Sequence, residues 1–141
     1  MSIHFTSEQI PMPAIDEQRI SLWLQAVAAT YYKRIGRLHY IFTNDEHILH
    51  INREFLGHDY YTDVITFDYS YSDILSGDIF ISIDTVRSNS QMFSTDFQTE
   101  LHRIIVHGLL HLTGQGDKTE ETKQEMTQKE NAALRMLEAE D

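Results

Sequence analysis

The stretch His107-Gly108-Leu109-Leu110-His111-Leu112-Thr113-Gly114-Gln115-Gly116-Asp117, read as H-x-x-x-H-x-x-G-x-x-D, ends an apolar pattern that begins near Thr95. At about 100° per residue, Phe97, Leu101, Ile104, Ile105, Gly108 and Leu112 share one stripe, with His107 and His111 on its flank. Thr95, with Gln98 three residues on, suits an N-cap, so the pattern predicts a helix over about residues 96–112 that stops near Gly114. A helix apolar over most of its circumference belongs at the centre of a domain, packed under a sheet. Two histidines four apart put both imidazoles on one face, one turn apart, as a preformed pair of nitrogen ligands for a divalent metal. Gly114 can take the left-handed conformation that ends a helix, and the reversal can swing Asp117 back as a third ligand. Three protein ligands leave a position for water, which separates a catalytic site from a closed structural one. Two core histidines satisfied by packing would account for the pair but not for the Gly and Asp spacing.

Working outward, residues 3–6 read as a short strand, and Asp16 precedes a helical pattern of Ile20, Leu24, Val27 and Tyr31. Residues 37–42 read as a second strand. Asn44 is an N-cap for a helix running through Phe55 that Gly57 stops. Residues 64–69 and 78–82 form two strands joined by a turn rich in Ser, Asp and Gly. A short helix over 84–90, the His-bearing helix, and an amphipathic helix over about 119–139 complete the chain. A crossover gives a parallel pair and the later hairpin an antiparallel one. The expected fold is therefore α+β: a single domain over residues 1–141, with a mixed sheet of about four strands, about five helices and a central metal-binding helix.

At 141 residues and 41% hydrophobic, the chain is long enough for one domain with a real core. It has no cysteine, which excludes disulfides and zinc-thiolate sites, and no run approaches the ~18 apolar residues of a membrane span. The opening residues lack a secretory pattern, so a cytoplasmic protein is expected. A net charge of −11 argues against a nonspecific nucleic-acid binder. The charge is uneven: Asp117 to Asp141 holds eight acidic and four basic residues, whereas Lys33, Arg34 and Arg37 form a small basic cluster, the best local phosphate contact. An ordinary solvated helix end would look the same.

The block H-G-x-L-H-L-x-G, with a ligand three residues beyond its last Gly, resembles the signature of the YbeY family of metal-dependent endoribonucleases. Two more blocks agree in order, Asn52-Arg53-Glu54-Phe55-Leu56-Gly57-His58-Asp59-Tyr60-Tyr61-Thr62-Asp63-Val64-Ile65-Thr66-Phe67 and Ser76-Gly77-Asp78-Ile79-Phe80-Ile81-Ser82. The resemblance covers about residues 37–125. It implies single-strand-specific cleavage of RNA in rRNA processing, especially maturation of the small-subunit rRNA 3′ end, and work beside the small ribosomal subunit or its assembly factors. No membrane or DNA partner is implied. It implies one divalent ion, zinc foremost, on His107, His111 and Asp117.

Two positions depart from the family pattern. Asp117 stands where the family has a third His, which makes the set harder and more tolerant of metals other than zinc. Leu56 stands where the family commonly has Arg, so any phosphate contact of that Arg is absent or moved to His58, Arg53 or Arg103. His58 is the candidate catalytic group besides metal-bound water, on a loop before a strand with Asp59, Thr62 and Asp63. Lys33, Arg34, Arg37 and Arg103 are the candidate substrate contacts. His47 and His50 read as surface helix, and His102 points away from the pair.

The rival enzyme is a metzincin-like metalloprotease, whose spacing H-E-x-x-H-x-x-G-x-x-H matches, but Gly108 occupies the place of the Glu that serves there as general base. Gly108 allows close approach either of substrate or of a packing strand. A non-catalytic ribosome assembly factor with a structural metal is the third reading.

Overall fold

The computed structural model describes residues 2–57 and 63–139, Leu56 without its side chain. Four of its helices open on a side-chain oxygen that accepts a backbone N–H three residues on. Asp16 caps α1 (Glu17–Thr30), Asn44 caps α2 (Asp45–Ile51), Ser82 caps α3 (Ile83–Met92) and Asp96 caps α4 (Phe97–Leu112). The α4 cap corrects the expectation of Thr95. Thr95 Oγ1 instead donates to buried Glu100 at 3.0 Å, leaving Asp96 to receive the Thr99 N–H. Beyond α2 the helix widens into one π-type turn, Asn52–Leu56, and ends at Gly57 with φ +69°, the predicted stop. The last helix is α5 (Glu120–Ala139).

The strands β1 (Ser2–Ser7), β2 (Arg34–Thr43), β3 (Val64–Asp68) and β4 (Ile74–Ser82) form one sheet in the order β1-β2-β4-β3. β1, β2 and β4 run parallel and β3 lies antiparallel on β4, so the mixed α+β sheet expected from the sequence is the one observed. β2 starts three residues earlier than predicted. Its register passes from Ile35↔Leu75 to Leu38↔Gly77, so that Gly36 and Arg37 share Ser76 in a bulge. β4 starts four residues early, because the Ser-Gly pair read as turn is strand, with Gly77 buried against the Phe67 carbonyl.

Alternation along β4 divides the two faces. Leu75, Ile79 and Ile81 point into the main core beneath α1, α3, α4 and α5, while Phe80, with Ile65 and Phe67, packs on Ile48 and Ile51 of α2 on the other side. Within the main core α4 is central as its pattern required, burying Leu101, Ile105, Val106, Leu109 and Leu110. Each such side chain contributes roughly 1.5–3 kcal/mol of transfer free energy. Two buried hydrogen bonds fix orientation: Tyr40 Oη donates to the Ile105 carbonyl and Trp23 Nε1 to the Ala133 carbonyl, both at 2.7 Å. Together they tie β2 to α4 and α1 to α5.

Candidate metal centre

The end of α4 is built by two backbone bonds. The Gln115 N–H reaches the Leu110 carbonyl (3.2 Å) and the Gly114 N–H that of His111 (3.0 Å), a Schellman closure with Gly114 at φ +101°. This turn sends the chain back over the helix. The Gln115 carbonyl arrives 3.0 Å from His111 Nδ1, and Asp117 Oδ2 arrives 3.4 Å from both His107 Nε2 and His111 Nε2. The two Nε2 atoms are 2.9 Å apart. An ion with ligands at ~2.0–2.1 Å in tetrahedral array has ligand–ligand edges of about 3.3–3.4 Å. The triangle of one carboxylate oxygen and two imidazole nitrogens therefore already has close to the size of one face of such a coordination shell.

The hydrogen bonds set the tautomers. His107 Nδ1 lies 2.6 Å from Glu130 Oε2, and His111 Nδ1 faces a carbonyl; neither partner can donate, so both Nδ1 atoms carry the hydrogen. Both Nε2 lone pairs then aim at each other and at a carboxylate oxygen. Such an arrangement repels itself unless a cation sits within it: a proton at low pH, a metal ion otherwise. His107, His111 and Asp117 thus form a group that can hold a metal ion.

Glu130, which the sequence reading did not find, supports this geometry from α5. It is 7% exposed, and its second oxygen accepts from Arg103 Nη1 at 2.9 Å, while Arg103 Nη2 donates to Asn131 Oδ1. A carboxylate held this way fixes an imidazole ring and raises its basicity as a ligand. The signal was present: Glu130 interrupts the stripe Met126, Ala133, Leu134 and Leu137 in its own register, a buried charge that needs a partner.

Burial alone would lower the His107 pKa, but the Glu130 hydrogen bond and charge, with Asp63 and Asp117, outweigh it and leave the pKa above 6.5. Because the folded value is raised, protonated His107 stabilises the metal-free protein fully below 6.5, and that contribution is lost as pH rises through the folded value. Metal binding runs the other way, since it needs the neutral ring. Urea midpoints of chelated protein are expected to fall over this window while metal affinity rises; parallel trends would contradict the assignment.

Comparison with known proteins gives the family. The family model described as Endoribonuclease YbeY matches residues 2–138. The chain belongs to the YbeY family. It is 51% identical to Endoribonuclease YbeY of Parabacteroides distasonis over 97% of this chain and 96% of that one, and 52% identical to its Bacteroides fragilis counterpart over 96% and 98%. The fold matches the solution structure of TM1509 from Thermotoga maritima with a TM-score of 0.68, at 23% identity over 99% of this chain and 91% of that one.

Around the triad this YbeY chain opens a pocket of about 450 Å³, lined also by Asp63, Val64, Thr66, Asp68 and Lys118. Val64, Thr66 and Asp68 alternate toward it because β3 turns that face to α4. Of the candidate substrate contacts, Arg103 lies behind His107, committed to Glu130 and Asn131, and does not line the pocket. Lys33 and Arg34 line a different depression beside α1, and Arg37 is exposed on the β2 bulge. His58, Asp59 and Thr62 lie outside the described residues, as does the side chain of Leu56. His47 and His50 stack over each other at 6.3 Å beside Glu8, away from the triad, and His102 packs on Trp23.

Gly108 settles a choice the sequence left open. A Cβ there would lie 2.8 Å from Ile79 Cγ2 and 3.0 Å from its Cδ1, so the glycine serves helix-on-sheet packing.

Proposed function

We propose that this chain is a metal-dependent endoribonuclease, a hydrolase that cuts single-stranded RNA during maturation of the small-subunit rRNA 3′ end. Its place is the cytoplasm, beside the small ribosomal subunit or its assembly factors. His107, His111 and Asp117 hold one divalent ion, zinc foremost. The observation that carries the reading is the convergence of two bare Nε2 lone pairs and a carboxylate oxygen, each imidazole locked by an acceptor at Nδ1. When bound, the ion supplies Lewis acidity toward water and phosphate oxygens. The chain's own part is to hold both tautomers through Glu130 and the Gln115 carbonyl, and to line the approach with Asp63, Thr66 and Asp68. Lys118 at the rim offers an ammonium to a phosphate.

Protease chemistry fits less well. Position 108, where a peptidase has its general base, faces Ile79 with no room for a side chain. A purely structural metal would call for a fourth protein ligand, and among the described residues only these three gather.

The test is cleavage of an RNA carrying the unprocessed small-subunit 3′ end, with a peptide substrate in parallel. Wild type is compared with His111→Ala, each after chelation and after readdition of zinc or manganese. RNA cutting that returns with metal only in the wild type is expected. Equal cutting by both proteins would assign it to a contaminant, and peptide cleavage without RNA cleavage would overturn the proposal.

A further inference from the structure

The helix α1 ends in the same two-bond closure as α4, with Tyr32 N–H on the Ala29 carbonyl and Lys33 N–H on that of Ala28, both 3.0 Å. At α4 the left-handed position holds Gly114; at α1 it holds Tyr32, at φ +61° and 92% exposed. A tyrosine is strained there where glycine is not, and its ring touches little of the fold that could offset the strain. Backbone strain kept at an exposed aromatic points to work done by the ring outside the fold.

The neighbours of Tyr32 have a common chemistry. Arg34 N–H bonds the Asp73 carbonyl (2.9 Å) and pairs with Ile74, which itself bridges to Tyr71. Arg37 N–H reaches Ser76 Oγ, and Tyr69 N–H reaches the carbonyl of the same serine. One short segment, residues 73–76, therefore has Arg34 on one side and Tyr69 and Tyr71 on the other, with Arg37 beside them, Lys33 lining the same depression as Ile74, and Tyr32 next to Lys33 in the chain. Tyr71 is 80% and Tyr69 62% exposed. Arg34 meets Asp73 at 3.6 Å, both exposed, while Lys33 and Arg37 have no side-chain partner among the described residues. In a chain of net charge −11, a patch of three cations against two carboxylates, Asp68 and Asp73, stands out. The patch also adjoins the metal pocket: Asp68 lines that pocket, and Tyr71 follows three residues later, at most about 10 Å of chain away.

We infer that this patch is a single-strand RNA platform, on which bases flanking the cleaved phosphate stack against Tyr32, Tyr69 and Tyr71 while Lys33, Arg34 and Arg37 follow the backbone. Aromatic rings offer every base a stacking face and cations neutralise phosphates, so such a surface binds single strands with little sequence preference. The inference rests on the endoribonuclease reading and deepens it, placing the substrate strand along the β3–β4 hairpin.

The test measures binding apart from chemistry, by fluorescence anisotropy of a labelled single-stranded RNA with chelated full-length protein. Tyr32→Gly relieves the left-handed strain, so it is expected to raise the thermal midpoint while weakening RNA binding roughly 5-fold or more. A merely structural tyrosine would not show opposite signs. Tyr71→Ala is expected to act similarly on binding, Tyr71→Phe to leave it intact, and Lys33→Glu with Arg37→Glu to reduce the salt slope by about 1.4. Unchanged RNA affinity in the tyrosine variants, with wild type still binding and cutting RNA, overturns the platform alone and leaves the patch to a protein partner. Wild type that cuts RNA with metal but binds none when chelated overturns the platform alone; wild type that neither binds nor, with metal, cuts RNA overturns both this and the endoribonuclease reading.

Discussion

His107→Ala is expected to reduce RNA cleavage more than about 100-fold and to remove stoichiometric metal binding while leaving the fold intact. The floor comes from comparison. Losing an outer partner of a metal-bound imidazole typically costs 10–100-fold in affinity or activity, and His107 supplies a ligand atom itself. Glu130→Gln belongs in the lower range, because the amide can still accept from His107 Nδ1 but lacks the charge that supports the ring and answers Arg103. Calorimetric zinc titration checks affinity and steady-state cleavage checks activity. A His107→Ala protein that binds zinc with wild-type affinity would remove this histidine from the ligand set, whatever its activity. Removing the imidazole also leaves buried Glu130 with one cation, Arg103, so the variant is best compared at matched stability.

The second large effect is on the fold. Gly108→Val is expected to destabilise the protein by about 2–3 kcal/mol or more, a large part of the 5–15 kcal/mol usual for a domain. Even the Cβ of alanine would meet Ile79 at 2.8 Å, and Ile79 is fully buried. Alanine's helix propensity returns up to ~1 kcal/mol against that overlap, whereas valine adds two methyls and a poorer propensity. The strain is relieved only by lifting α4 from β4, which also carries His107 and His111 away from the β3 residues that line the pocket. Urea denaturation measures the first consequence and zinc affinity the second. A Gly108→Val protein as stable as wild type would show that the helix and sheet are not in the contact described.

What could be read from the chain follows from how local each cause is. The cap at Asn44, the helix start after Asp16 and the stop at Gly57 depend on a few adjacent residues, and they stand where the sequence places them. The α4 cap was misplaced by one residue because Thr95 and Asp96 both have a suitable partner three residues on; Glu100, buried and in need of a donor, decided it by taking the Thr95 hydroxyl. The triad's geometry was legible from spacing, since a helix and a glycine turn determine it. Glu130's burial could be read from the α5 stripe, but its partner could not, because His107 lies on another helix, 23 residues away. The early starts of β2 and β4 were hidden for a similar reason. Glycine and serine in Arg34–Thr43 and Ile74–Ser82 look like turn formers until the two strands pair and the bulge absorbs the extra residue.

The position of Asp117 has a further consequence. Two members of the triad ride on a buried helix, and the third stands on the segment that leaves it, attached through Gly114 and the Gln115 carbonyl. An ion held by all three is a cross-link that closes the loop of five residues between His111 and Asp117, and it fastens the approach to α5 onto the core. Loading the site therefore changes the survival of that loop in a protease digest: cleavage within residues 113–118 becomes a clock for how long the ion stays.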